Sequence, residues 1–170
     1  PPYGNANGQN GTYRLPEAQL DRFLFKINVD YPTLEEEVKI LDRQDRGELS
    51  SDIRIDSVLD AQSLQKLRTE VAKVHVEQHL LQYIAQIVGA TRKNPWISLG
   101  ASPRASLAIL NASKALAATR GRDFITPEDI NEMAIPVLRH RILLTPEKEM
   151  DGTSTDTVIK QIIEKTEVPR

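Results

Sequence analysis

Apolar residues recur along most of this chain at three- and four-residue spacing, in blocks separated by proline, glycine and polar capping residues. Residues 16–23 (PEAQLDRF) place Pro16 at the head of one or two helical turns carrying Leu20 and Phe23. The next stretch, Phe23 to Val29 (FLFKINV), is aromatic and β-branched and alternates after Phe25. It predicts a lone strand that ends at Asp30-Tyr31-Pro32. One strand makes no sheet, so its partners lie outside this chain or it packs irregularly.

From Pro32 onward the pattern is helical. Thr33 caps a helix with Glu36 at the capping-box position, and Leu34, Val38 and Leu41 supply its stripe before Gly47. Residues 47–60 read as a connecting loop. A helix over 61–72 carries Leu64, Leu67 and Val71, Val74-His75-Val76 is briefly extended, and 77–91 is a helix with Leu80, Ile84, Ile87 and Val88 on one face. After Asn94-Pro95 the chain restarts at Ser102 as cap and Pro103 in the first turn, followed by Ala105, Ala108, Ile109, Ala112, Ala115 and Leu116 until Gly121. Thr126-Pro127-Glu128-Asp129 opens a further helix through Ile130, Met133, Ala134, Val137 and Leu138, which Pro136 should kink or shorten. A last helix over 155–165 shows Val158, Ile159, Ile162 and Ile163. The predicted fold is mainly α: a helical bundle from about 33 to 166, preceded by a helix-strand remnant.

Composition narrows the function classes. The 170 residues, 39% hydrophobic and 27% charged, suffice for one or two domains with a proper core. The absence of cysteine removes disulfides, thiolate nucleophiles and Cys-ligated zinc, and suits a reducing compartment. A formal charge of -2 argues against a protein built mainly to coat nucleic acid. No apolar run approaches the roughly 18 residues of a membrane span and no signal peptide is visible, so a cytoplasmic location is the expectation. The chain opens at Pro1 with a loose PPYGNANGQNG, which reads as the start of an excised piece of a longer protein.

Nucleotide chemistry is only half provided for. None of the eight glycines is followed by lysine, so there is no GxxxxGK[ST] phosphate loop, and no apolar strand ends in paired acids to hold Mg²⁺. The chain alone should not hydrolyse ATP. Arg104, however, sits in the first turn after a Ser-Pro helix start, where free N–H groups and the helix dipole favour an anion. It reads as a phosphate sensor or as an ordinary surface arginine. Arg22, between Asp21 and Phe23, either projects toward a partner's phosphate or forms a surface pair with Asp21.

Residues 91–122 hold six bases (Arg92, Lys93, Arg104, Lys114, Arg120, Arg122) and no acid, whereas 30–60 hold ten acids and four bases. That asymmetry suits head-to-tail assembly; a nucleic-acid surface and a plain solvated face are the competing uses. His75 and His79 are four apart, but His-Val-Glu-Gln-His has its Glu out of place for HExxH and His75 precedes the helix, so no metal site is expected. His140 has no evident partner.

Residues 11–23 (GTYRLPEAQLDRF), 99–122 (LGASPRASLAILNASKALAATRGR) and 124–130 (FITPEDI) together resemble MoxR-type AAA+ ATPases, and YPTLEEEVKIL and VHVEQHLLQYI agree in order and spacing. The resemblance covers nearly all of residues 11–145. It implies that residues 1–31 comprise a loose N-terminus and the end of an α/β ATPase core, and that 32–170 form the helical lid. Phe23 to Val29 would then be the last core strand, separated from its neighbours. It further implies a hexameric ring that couples hydrolysis of ATP, with Mg²⁺, to remodelling or maturation of client proteins, often beside a von Willebrand factor A-domain protein. By the same resemblance Arg22 of LDRF is the arginine finger acting in trans, and Arg104 of GASPRA is the sensor 2 residue on the ATP phosphate. The sensor 1 Asn maps to Asn5 without its usual spacer, and Arg14 stands where proline is commoner. A standalone helical module binding protein or nucleic acid through the basic stretch is the alternative function.

Overall fold

The computed structural model describes residues 15–48 and 56–169; Asn5, Arg14 and part of the expected 47–60 loop lie outside them. The elements in order are α1 (Glu17–Leu20), α2 (Leu34–Asp45), α3 (Ala61–Lys73), α4 (Gln78–Thr91), β1 (Ile97–Leu99), α5 (Pro103–Thr119), α6 (Pro127–Leu138), β2 (Leu143–Leu144), α7 (Pro146–Met150) and α8 (Thr155–Lys165). The fold is mainly α with one small antiparallel sheet.

Local chemistry explains most boundaries. Thr33 and Glu36 form the reciprocal capping box of α2, with the Thr33 N–H 2.8 Å from Glu36 Oε2. Asp60 accepts from the Ser63 N–H at 2.6 Å and starts α3. At the end of α5, Gly121 takes a left-handed φ of +72°, the Arg122 N–H returns to Ala117 O at 2.9 Å and the Gly121 N–H to Ala118 O at 3.0 Å. This is a Schellman closure, which a residue with a Cβ would strain.

The core is shared by α4, α5, α6 and α8. Tyr83, Ile84, Ile87 and Val88 of α4 meet Ala105, Ile109 and Ala112 of α5, while Ile130, Ala134, Val137 and Leu138 of α6 meet Val158, Ile159 and Ile162 of α8. The alanine face of α5 lets α4 and α6 approach from both sides. Tyr83 is buried with its hydroxyl donating to Asn131 Oδ1 at 2.8 Å, which satisfies the polar end. No residue of α2 is buried, so its apolar stripe faces outward.

Three features differ from the sequence expectation. Residues 25–33 carry no strand: the segment is irregular, and the Lys26 N–H donates to Pro136 O at 3.0 Å instead of to a sheet. Its apolar residues Ile27 and Val29 are exposed, as befits a would-be strand without neighbours among the described residues. Second, β1 and β2 pair antiparallel, Ile97 with Leu144 and Leu99 with Leu143, across an irregularity between Ile97 and Leu99. Strands of two and three residues leave no alternation to read. Third, the five-residue α7 lies between β2 and α8. Pro136 lies inside α6, which continues past it to Leu138.

Candidate phosphate-facing site

The start of α5 is fixed from below by α4. Gly100 lies so close to the Arg92 backbone that a Cβ would sit 2.7 Å from Arg92 Cα, and the Arg92 guanidinium donates to Ala101 O at 2.7 Å. The Thr91 hydroxyl, buried, accepts from the Ala101 N–H at 3.0 Å and donates to Val88 O at 2.6 Å. This turn delivers Ser102 to the N-cap position, where its hydroxyl accepts from the Arg104 N–H at 3.2 Å. Pro103 and Arg104 occupy the first turn, and the Arg104 side chain is exposed.

The same Ser102 hydroxyl donates to Asp21 Oδ2 at 2.9 Å. Asp21 caps the C-terminal end of α1, and Arg22 follows it, exposed, in the turn. The other carboxylate oxygen of Asp21 is held by Arg141, whose Nε donates at 3.0 Å. Sequence reading therefore singled out the two exposed arginines, and the structure hangs both from one polar junction. Neither guanidinium has a hydrogen bond or ion pair among the described residues.

Arg141 itself is buried and was missed, because its partners lie some 120 positions away in sequence. Burial pulls its pKa below the ordinary value and Asp21 opposes that shift. Nearby, His140 Nε2 bonds Phe23 O at 2.9 Å while Nδ1 is buried without a partner, so burial lowers its pKa and favours the neutral ring.

Most of the basic stretch is already occupied. Arg122 grips both oxygens of the buried Asp129 at 2.6 and 2.7 Å, and Arg120 reaches Asp129 at 3.2 Å and Glu132 at 2.7 Å. Lys114 donates to Ala72 O at 2.9 Å, and Arg92 is committed to Ala101. Of the six bases, Lys93 and Arg104 are without a side-chain partner among the described residues. Burial pushes the Asp129 carboxyl upward, but the Arg122 guanidinium and the Thr126 N–H outweigh it and hold the pKa below the usual carboxylate range. The sequence identified Asp129 only as an early acid of α6. His75 stands in a bridge to Phe124, before α4, with Nε2 3.0 Å from Glu77; His79 lies in the first turn of α4.

The family model described as an AAA lid domain matches residues 89–162. The chain is 40% identical over 169 residues to the chaperone MoxR1 of Mycobacterium tuberculosis, covering 94% of this chain and 44% of that protein. It is 37% identical over 159 residues to YeaC of Bacillus subtilis, covering 94% of this chain and 49% of that one. A crystal structure from Cytophaga hutchinsonii, named as a "putative ATPase", superposes with a TM-score of 0.85 at 34% identity, covering 98% of this chain and 52% of that one. The chain spans about half the length of the curated relatives it matches.

Proposed function

Since this chain belongs to the MoxR family and carries its AAA lid over residues 89–162, we propose that it supplies the end of the ATPase core and the lid to a ring-forming, ATP-hydrolysing machine. In this reading Arg104 acts as sensor 2 on the phosphates of ATP bound in the same subunit. Arg22 is the finger that reaches a neighbouring subunit's γ-phosphate and stabilises charge as it develops. The observation that carries the reading is that these two guanidinia are exposed and unpaired among the described residues, yet are mounted on one junction in which the half-buried Asp21 bonds both Ser102 and the buried Arg141. Exposed, unpaired arginines on a hydrogen-bonded mount suit phosphate contact better than they suit stability.

The residues present fit a phosphate group. Arg104 lies at the positive, N-terminal end of a 17-residue helix, and its charge and the helix dipole both favour an anion. Pro103 has no N–H and those of Arg104 and Ala105 are taken by Ser102, contrary to the free N–H groups expected from the sequence. When bound, the nucleotide with its Mg²⁺ supplies the phosphoanhydride that is cleaved. Asp21, the acid of this junction, is spent on Ser102 and Arg141 and would not serve as a ligand of the cation. Remodelling of client proteins, association with a von Willebrand factor A-domain protein, hexameric assembly and a cytoplasmic setting complete the proposal. The nucleic-acid alternative is disfavoured by the internal use of Arg92, Lys114, Arg120 and Arg122.

The test is ATP turnover by the full-length protein carrying Arg104→Ala or Arg22→Ala. Both variants should lose turnover while keeping the parent's melting temperature, since exposed side chains contribute within about 0.5 kcal/mol to stability. Unchanged turnover in both would remove the assignment.

A further inference from the structure

Every donor of Arg141 is used. Nε donates to Asp21 Oδ1 at 3.0 Å, Nη1 to Leu24 O at 3.1 Å and to Val137 O, and Nη2 to Asp21 O at 3.0 Å and Phe23 O at 2.6 Å. Five N–H groups thus meet five acceptors, and the side chain is only 3% exposed. Four of those acceptors belong to residues 21–24, the turn that carries Arg22; the fifth is an otherwise free carbonyl in the last turn of α6. The remaining oxygen of Asp21 takes the hydroxyl of Ser102, the cap of the helix that carries Arg104. Flanking contacts reinforce the seam: Arg139 donates to Lys26 O at 3.1 Å and His140 Nε2 bonds Phe23 O at 2.9 Å.

A buried guanidinium with four of its five donors satisfied by one short turn, and the fifth by the last turn of α6, is costly to desolvate and ties that turn to α6 in a single geometry. The apolar core is built mainly by α4, α5, α6 and α8, and of residues 21–33 Phe25 alone is packed against it, so the polar contacts of Arg141 are the main tie of residues 21–24 to the lid. We infer that Arg141 is a positioning residue: it clamps the Arg22 turn to the lid and, through Asp21 and Ser102, sets Arg22 and the Arg104 helix in one fixed relation. This rests on the reading of Arg22 proposed above. Movement of the lid with nucleotide would then carry the Arg22 turn with it, so that the state of one subunit's site is passed to the neighbour that Arg22 faces.

Arg141→Lys is the discriminating change, because an ammonium keeps the charge but offers three donors in place of a planar set of five. In the full-length protein it should lower kcat for ATP about tenfold or more, with KM within about twofold, since displacement of a reacting group by about 1 Å costs rates of this order. Asp21→Asn, which spares the carbonyl contacts of Arg141, provides the second variant should Arg141→Lys fold poorly; it should lower kcat in the same direction. Placed in an Arg22→Ala background, either change should alter kcat by less than about twofold, because the group it positions is already gone. Folded variants that keep kcat would overturn the inference, as would a tenfold loss that persists without Arg22. Arg22→Ala measured alone separates the two levels: if it leaves turnover intact, the finger reading fails and takes the inference with it. If it abolishes turnover while Arg141→Lys and Asp21→Asn do not, only the clamp is wrong.

Discussion

Replacing Asp129 by alanine should be among the more damaging single changes in the lid. Asp129 is fully buried at the third position of α6, where its carboxylate accepts from the Thr126 N–H at 2.9 Å and from Arg122 and Arg120. Removing one partner of a buried, hydrogen-bonded charge cluster costs about 3–5 kcal/mol, and loss of a helix cap costs about 1 kcal/mol. The Arg120 and Arg122 side chains are 43% and 26% exposed, so water recovers part of what they lose. That places the expected loss for Asp129 near about 3 kcal/mol, a fall in Tm of about 6–12 °C for a chain of this size. Urea unfolding at pH 7 followed by circular dichroism reads it as a lower midpoint at unchanged slope. The pH dependence checks the cause. The folded carboxyl is held below its ordinary value, so its contribution is present above about pH 4 and is lost as pH falls through the folded pKa. The gap between wild type and Asp129→Ala should therefore close on acidification below about pH 4. A loss under about 1 kcal/mol at pH 7, or a gap indifferent to acid, would refute the reasoning.

Two further outcomes can be checked on the same chain. Gly100→Ala should destabilise by about 1–3 kcal/mol, because the new methyl meets Arg92 backbone atoms at 2.7–2.8 Å and backbone must move; a neutral melting curve would count against the close approach. His140 should titrate below 6.5 by NMR, since its Nδ1 is buried without an acceptor. Here the unfolded chain gains a proton before the folded one does, so stability falls as pH drops below 6.5 toward the folded value. The decline should be absent in His140→Gln; a slope unchanged by that substitution would assign the effect to other groups.

The parts of this protein fixed by neighbours in sequence were legible in it. Thr33 with Glu36, Ser102 with Pro103, Thr126 with Asp129 and Gly121 mark helix ends because a cap and its N–H are within a few residues of each other. The apolar stripes of α4, α5, α6 and α8 report their buried faces for the same local reason, the 3.6-residue turn. Arg22 and Arg104 stood out through short motifs, and both are exposed side chains beside helix ends. Tertiary structure decided the rest. Whether FLFKINV is a strand depends on an edge to pair with, and without one among the described residues its Lys26 N–H turns to Pro136 O. The β1–β2 pair joins residues about 45 apart, and Arg141 reaches Asp21 across 120 positions. Asp129 and Arg122 look like ordinary surface charges in sequence, and only the Schellman turn at Gly121 folds one over the other. A side chain's type announces which bonds it can make, but burial and partner are set by packing. That is why the motifs around Arg22 and Arg104 stood out in the sequence and the bonds of Arg141 to residues 21–24 did not.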